Sequence, residues 1–141
     1  MELTQEDNEL IQAATDIISQ RYSYGKHHVG VALRTQSGNV VKAVNVDTYI
    51  GRAGVCAEAI ALGSMISGGE SEFTSIVAVF KPNPEFGEQA PYVASPCGVC
   101  REMLSDYGPN ASVIYMLNAE VVKAKASELL PGKFAKKHLP R

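Results

Sequence analysis

No stretch of this 141-residue sequence is apolar for the length that a membrane-spanning helix needs, so no membrane partner is expected. Basic residues are in slight deficit: 13 Lys and Arg against 15 Asp and Glu give a net charge of −2. A dedicated nucleic-acid binder usually carries a basic face, so no nucleic-acid partner is expected either. Cysteine is scarce, and three thiols make a poor disulfide framework. The opening Met1-Glu2-Leu3-Thr4 has no basic stretch ahead of an apolar core, so the expectation is no secretory leader and a cytoplasmic setting. Internal repeats, low-complexity tracts and interdomain linkers are also missing. Residues 1–141 therefore read as one domain.

What is there is an ordinary globular composition, 45% hydrophobic and 20% charged, which excludes a disordered chain and a coiled coil. Thr4 to about Ser19 reads as a helix. Leu3, Leu10, Ile11, Ala14, Ile17 and Ile18 share one face, and Thr4 with Asp7 suits a capping box. Val29–Thr35 and Val40–Val46 read as a hairpin around Ser37-Gly38-Asn39. A short loop with two glycines, Tyr49–Gly54, leads into an apolar helix from Cys56 to about Ser67, stopped by Gly68-Gly69 and expected to lie buried on a sheet. Ser75–Phe80 is the third strand. Lys81–Ser95, with three prolines and a glycine, reads as a long loop, either the rim of a site or a plain excursion. Pro96–Tyr107 is a helix, Ser112–Leu117 a fourth strand, Val121–Lys125 a weak fifth, and Ser127–Leu130 a helical turn. This order makes an α/β sandwich, helices packed on a mixed five-stranded sheet.

The strongest chemical signal is Cys56-Ala57-Glu58 followed by Pro96-Cys97-Gly98-Val99-Cys100. Both segments open predicted helices, where the partial positive charge of the helix N-terminus lowers a thiol's pKa. Cys97 and Cys100 stand three residues apart and project from the same side of a first turn, and Cys56 can bring a third sulfur to the same point. Three thiolates around a tetrahedral Zn²⁺ leave a fourth position for water, the arrangement of a catalytic rather than a closed structural zinc. Glu58, two residues from a ligand, is the natural proton carrier. A structural zinc knuckle or a redox Cys-x-x-C would account for the later pair alone but has no use for Cys-Ala-Glu upstream.

A cysteine or histidine, then x-Glu, then Pro-Cys-x-x-Cys, is the pattern of zinc-dependent nucleobase deaminases. The sequence resembles the cytidine deaminase superfamily, specifically its small homotetrameric branch acting on free nucleosides. The likeness runs from His28-Val29-Gly30-Val31-Ala32-Leu33 to Leu129-Leu130-Pro131-Gly132-Lys133-Phe134. Within the branch, the segments Lys26-His27-His28-Val29-Gly30, Tyr49-Ile50-Gly51-Arg52 and Ser95 to Glu102 resemble the deaminases that act on blasticidin S. The resemblance implies a three-layer α-β-α sandwich, a homotetramer, and a small-molecule partner, either a cytosine nucleoside or a nucleoside antibiotic with the same ring. Asn45 and Asp47 match an Asn-x-Glu that binds the sugar hydroxyl, with the acid one methylene shorter here. Ala57 matches a substrate contact, and Phe134 matches an aromatic that stacks on the pyrimidine, though it could equally anchor the C-terminus. The family's arginine directly after Cys-Ala-Glu is replaced by Ala59. Positive charge to offset three thiolates must then come from the helix N-termini and from Arg101, hydrogen-bonded to thiolates, unless Arg101 is a plain surface ion-pair residue.

Three functions follow as expectations. The first is hydrolytic deamination at C4 of a free cytosine compound, blasticidin S ahead of cytidine or deoxycytidine. The second is deamination within a nucleic acid, which the charge balance disfavours. The third is a non-catalytic zinc-stabilised interaction protein, in which Glu58 would have no purpose. His27 and His28 read as strand-entry residues at a pocket rim or subunit contacts. Lys133, Lys136, Lys137, His138 and Arg141 read as a solvated basic tail.

Overall fold

Thr4 and Asp7 cap the first helix reciprocally in a computed structural model, which describes residues 2–87 and 89–135. The Asp7 amide donates to the Thr4 hydroxyl at 3.1 Å, and the Thr4 amide donates to the Asp7 carboxylate at 2.8 Å. Two of the first-turn amides are thereby satisfied, and the helix α1 runs Gln5–Arg21. Leu10, Ala14 and Ile18 form its buried stripe. They lie on the strand β1, Val29–Thr35, so closely that a Cβ at Gly30 would stand 2.4 Å from the Ala14 carbonyl oxygen. Only glycine fits there.

β1 turns back into β2, Val40–Val44, with Arg34 opposite Val40 and Gly30 opposite Val44. The second strand ends two residues earlier than its sequence suggests, because the Asn45 side chain takes over the pairing. Its carbonyl oxygen accepts the amides of His28 and Val29. A short 3-10 turn at Gly51–Ala53 precedes α2, Ala57–Ser67. This helix buries Ala57, Glu58, Ala61, Leu62 and Met65, while Ile66 on its other side stays exposed. The helix thus lies buried on the sheet, as expected, by one face.

β3 spans Phe73–Phe80 and begins two residues ahead of its expected start. The stretch expected to be only loop contains a 3-10 turn at Pro84–Phe86 and a strand β4, Tyr92–Ala94. Three residues between Pro91 and Pro96 are too few to show a strand's alternation, but Val93 is buried and pairs with Val79. α3 follows at Gly98–Tyr107, then β5, Ser112–Leu117, β6, Glu120–Lys125, and a closing 3-10 turn at Ala126–Leu129.

The sheet order is β2-β1-β3-β5-β6, with β4 added on β3, so six strands stand where five were expected. All pairings are antiparallel except β3 with β5, which makes the sheet mixed. On one face, α1 packs Leu10, Ala14 and Ile18 against Ala32, Val77, Val79 and Ile114. On the other, α2 and α3 pack Ala61, Leu62, Met65 and Leu104 against Val31, Leu33, Ile76 and Val113. This is the three-layer α-β-α sandwich. The basic residues Lys136, Lys137, His138 and Arg141 lie outside the described residues.

β3 divides its two ends between partners. Ser75–Val77 pair with β5, whereas Ala78–Phe80 pair with β4, which runs directly into Pro96-Cys97. The added strand is therefore what brings the second cysteine segment alongside the first. Among the described residues, no helix is long and apolar enough to cross a membrane.

Candidate active site

Cys56 and Cys97 occupy the same position in two different helices: each is the N-cap, immediately before α2 and α3 respectively. Neither cap side chain accepts a hydrogen bond as a serine or aspartate would in that place. Their sulfurs turn instead toward one another, with Cys56 Sγ 3.7 Å from Cys97 Sγ and Cys97 Sγ 3.5 Å from Cys100 Sγ. All three sulfurs lie within 4.8 Å of one another. A disulfide needs about 2.05 Å, so none is formed. Two zinc–sulfur bonds of about 2.3 Å at a tetrahedral angle put sulfurs about 3.8 Å apart. The cluster therefore has the dimensions of a zinc site, and the three cysteines could hold the ion.

The three thiols differ in how readily they ionise. Burial pushes Cys56 up from its ordinary value. Burial and the neighbouring Glu58 charge push Cys100 up much further. Cys97 alone is held down: burial opposes its ionisation, but the nearby Cys100 amide, the two neighbouring thiols and the nearby Val99 amide outweigh it. Ionisation is therefore easiest at Cys97, at the start of α3, and hardest at Cys100.

Glu58 sits on the first turn of α2 and is 6% exposed. Desolvation pushes its carboxyl above the ordinary range, with its own backbone amide and Cys100 opposing the shift less strongly. It lines a cavity of about 290 Å³ together with Cys56, Ala57 and Cys97. Val29, Ala78 and Ala94 form the sheet side, and Asn45 and Asp47 the wall after β2. Ala78 and Ala94 face each other across β3 and β4, and two such small side chains leave room there. No lysine or arginine lines this cavity among the described residues. Its charge is acidic.

The structure thus brings Cys56, Cys97, Cys100, Glu58, Ala57, Asn45 and Asp47 to one place. Arg101 stands behind it. Its hydrogen bonds run to the carbonyls of Pro96, at 2.9 Å, and Leu129, at 3.2 Å, so its link to the sulfurs passes through the peptide that enters Cys97. Phe134 is 73% exposed and does not line this cavity. The preceding Lys133 is pinned to α3 by Ser105, Glu102 and Asp106. That anchoring separates Lys133 from the freely solvated tail that sequence reasoning placed it in.

Sequence reasoning missed the cavity walls Val29, Ala78 and Ala94. No local signal marks them, because their shared side of the site exists only once β4 pairs with β3. It also missed how fully Asn45 is used. The side-chain oxygen accepts two backbone amides, at 2.7 and 2.9 Å, and the side-chain nitrogen donates to Asp47 at 3.1 Å.

Residues 4–116 match the model of the cytidine and deoxycytidylate deaminase zinc-binding region. The chain is 45% identical over 134 residues to the blasticidin-S deaminase of Bacillus cereus, covering 95% of this chain and 96% of that protein. It is 30% identical over 124 residues to a probable cytidine deaminase of Dictyostelium discoideum, covering 86% and 80% of the two chains. Among solved structures, the cytidine deaminase of Burkholderia pseudomallei matches with a TM-score of 0.72 at 31% identity, over 94% of this chain and 100% of that one.

Proposed function

This chain belongs to the cytidine and deoxycytidylate deaminase family and is a hydrolytic deaminase, and from that premise we propose that its substrate is blasticidin S. The reaction replaces the C4 amino group of the cytosine ring: water adds its oxygen at C4, the C–N bond breaks, and deaminohydroxyblasticidin S and ammonia leave. Cytidine and deoxycytidine carry the same reacting atoms and are the alternative substrates. The 45% identity to a blasticidin-S deaminase over nearly both lengths supports the antibiotic. The shorter Asp47, in a wall with no cationic side chain, supports a partner other than a nucleotide phosphate.

Cys56, Cys97 and Cys100 hold the zinc in this reading, and their sulfur separations support it. Zinc held there would make water a competent nucleophile at neutral pH. Glu58 carries the protons. It accepts the one the water gives up, delivers it to ring N3, and protonates the departing amino nitrogen. The observation that carries this role is the position of Glu58: a buried carboxylate beside the sulfur cluster, in the cavity, with no lysine or arginine paired to it among the described residues. Ala57 and Asn45 form the wall against the ring and its N1 substituent, and Arg101 steadies the peptide leading into Cys97.

The chain acts as a single deaminase domain within a homotetramer, in the cytoplasm, where three thiols stay reduced. Tyr49, Ile50, Val55 and Val99 are exposed apolar side chains on segments next to the cavity, and Phe134 is exposed on the anchored C-terminal segment. Such a surface supports assembly in which Phe134 stacks in a neighbouring subunit's cavity. Incubation with blasticidin S, cytidine and deoxycytidine, followed by loss of amino-pyrimidine absorbance, tests the substrate. The reading predicts the highest kcat/KM on blasticidin S. A higher value on cytidine overturns it.

A further inference from the structure

His28 stands beside the cavity in a setting that the deaminase chemistry does not use. The Gly25 amide donates to His28 Nε2 at 3.0 Å. A backbone amide can only donate, so Nε2 carries a lone pair and the proton of the neutral ring is on Nδ1. The same Nε2 lies 3.8 Å from Asp47 Oδ2, too far for a hydrogen bond. The other carboxylate oxygen of Asp47 accepts from Asn45, whose own carbonyl is locked on the His28 and Val29 amides. Asp47 is therefore held by one oxygen, and its second has no hydrogen-bond donor among the described residues.

The ring is fixed on several sides. Tyr22 and Tyr24 present an edge-on geometry to it, at 5.5 and 6.1 Å between centroids, and Phe80 stacks on it at 6.3 Å. The charged and titratable groups around it are few. They are Asp47, 3.8 Å from Nε2, and Lys81, whose ammonium lies 5.8 Å from the Tyr22 ring centroid. The adjacent His27 is engaged through Nδ1 with the Asn45 carbonyl.

We propose that His28 is a positioning residue for Asp47: when neutral it leaves the carboxylate to the substrate's N1 substituent, and when protonated it takes the carboxylate for itself. A proton from solvent adds to Nε2. The Gly25 amide then faces a donor, its bond breaks, and the new N–H needs only a small movement to reach Asp47 Oδ2. The substrate group that binds Asp47 is a hydroxyl or a cation, since both donate to a carboxylate. Substrate affinity then falls as pH falls, while the chemistry at C4 is untouched. This inference rests on the reading of the cavity as a deaminase site.

The test measures kcat and KM between about pH 8 and pH 5.5, the range in which histidine charge changes, for the wild type and His28→Gln. Glutamine accepts the Gly25 amide but gains no proton. The wild-type KM is expected to rise about tenfold toward acid pH, as one charge-assisted hydrogen bond is lost. The His28→Gln KM is expected to stay level, with the kcat profiles of the two proteins parallel. Equal pH dependence of KM in both overturns the proposal. Imidazole nitrogen NMR supplies a readout independent of turnover. It should show the Nδ1–H tautomer of His28 at neutral pH and, at acid pH, an Nε2–H bonded to Asp47 that Asp47→Asn lacks. The same acid-pH signal in both proteins also overturns the proposal. Absence of turnover on every amino-pyrimidine would refute the deaminase reading instead, and the NMR result would still decide the His28–Asp47 pair.

Discussion

Asp7 and Glu58 are two carboxylates in the first turns of two helices on opposite faces of one sheet, each 6% exposed. Burial alone would push both toward the protonated form. Glu58 does move that way. Asp7 moves the other way: burial raises it, but the Lys123 ammonium at 2.7 Å and the Thr4 amide more than reverse the effect. The difference is a partner. With a cation and a cap to serve, Asp7 is a structural tie between α1 and β6. With no lysine or arginine beside it among the described residues, Glu58 keeps the raised affinity for protons that a proton carrier requires.

The largest stability effect in this comparison comes from breaking the Asp7 tie. Asp7→Ala removes half of a capping box and leaves Lys123, whose side chain is 12% exposed, without its charge partner. A loss of about 2–4 kcal/mol in denaturant unfolding is expected, because a half-buried cation loses a charge-assisted hydrogen bond and the helix loses its cap. Turnover by the folded protein should be unchanged, since α1 lies on the face away from the cavity.

A second prediction follows from the direction of the Asp7 shift. Its carboxyl is held below its unfolded value of about 3.9, so its contribution is fully present above that pH and is lost as pH falls through the native value. The stability gap between wild type and Asp7→Asn should therefore be full near neutrality and narrow below about pH 4. A gap that widens in acid would mean that Asp7 is not charged in the native protein.

A smaller effect is expected on the other face. Arg101→Ala removes two hydrogen bonds to carbonyls, at Pro96 and Leu129, and should cost about 1.5–3 kcal/mol. Its sharper readout is zinc retention against a chelator, weakened by about 10–100-fold if Arg101 steadies Cys97 through the Pro96 peptide. Unchanged retention would reduce Arg101 to a fold contact.

What could be read from the sequence divides along the same line as these residues' partners. The Thr4–Asp7 box, the helix starts at Cys56 and Cys97, and the three-residue spacing to Cys100 are local patterns, and the structure keeps them. Lys123 as the partner of Asp7 is 116 residues away, and nothing near either residue announces the other. β4 was invisible because three residues carry no periodicity, and the Ala78–Ala94 wall went with it. Asn45 could be picked out as a site residue, but its double acceptance of the His28 and Val29 amides depends on the register of β1 with β2. Phe134 was legible as an aromatic near the C-terminus. Its exposure away from this chain's own cavity was not.

The most direct measurement of the account is Glu58→Gln, assayed for turnover and zinc content in the same sample. Glutamine keeps the shape and the reach of Glu58 but cannot accept a proton. Loss of general acid–base catalysis typically costs about 10²–10⁴-fold, and the upper end or beyond is expected because three transfers depend on this one group. Zinc should remain near one ion per chain, since the three sulfurs are untouched. Full turnover with zinc bound would contradict the proton-carrier role. Loss of zinc would make Glu58 a ligand and contradict the three-sulfur site.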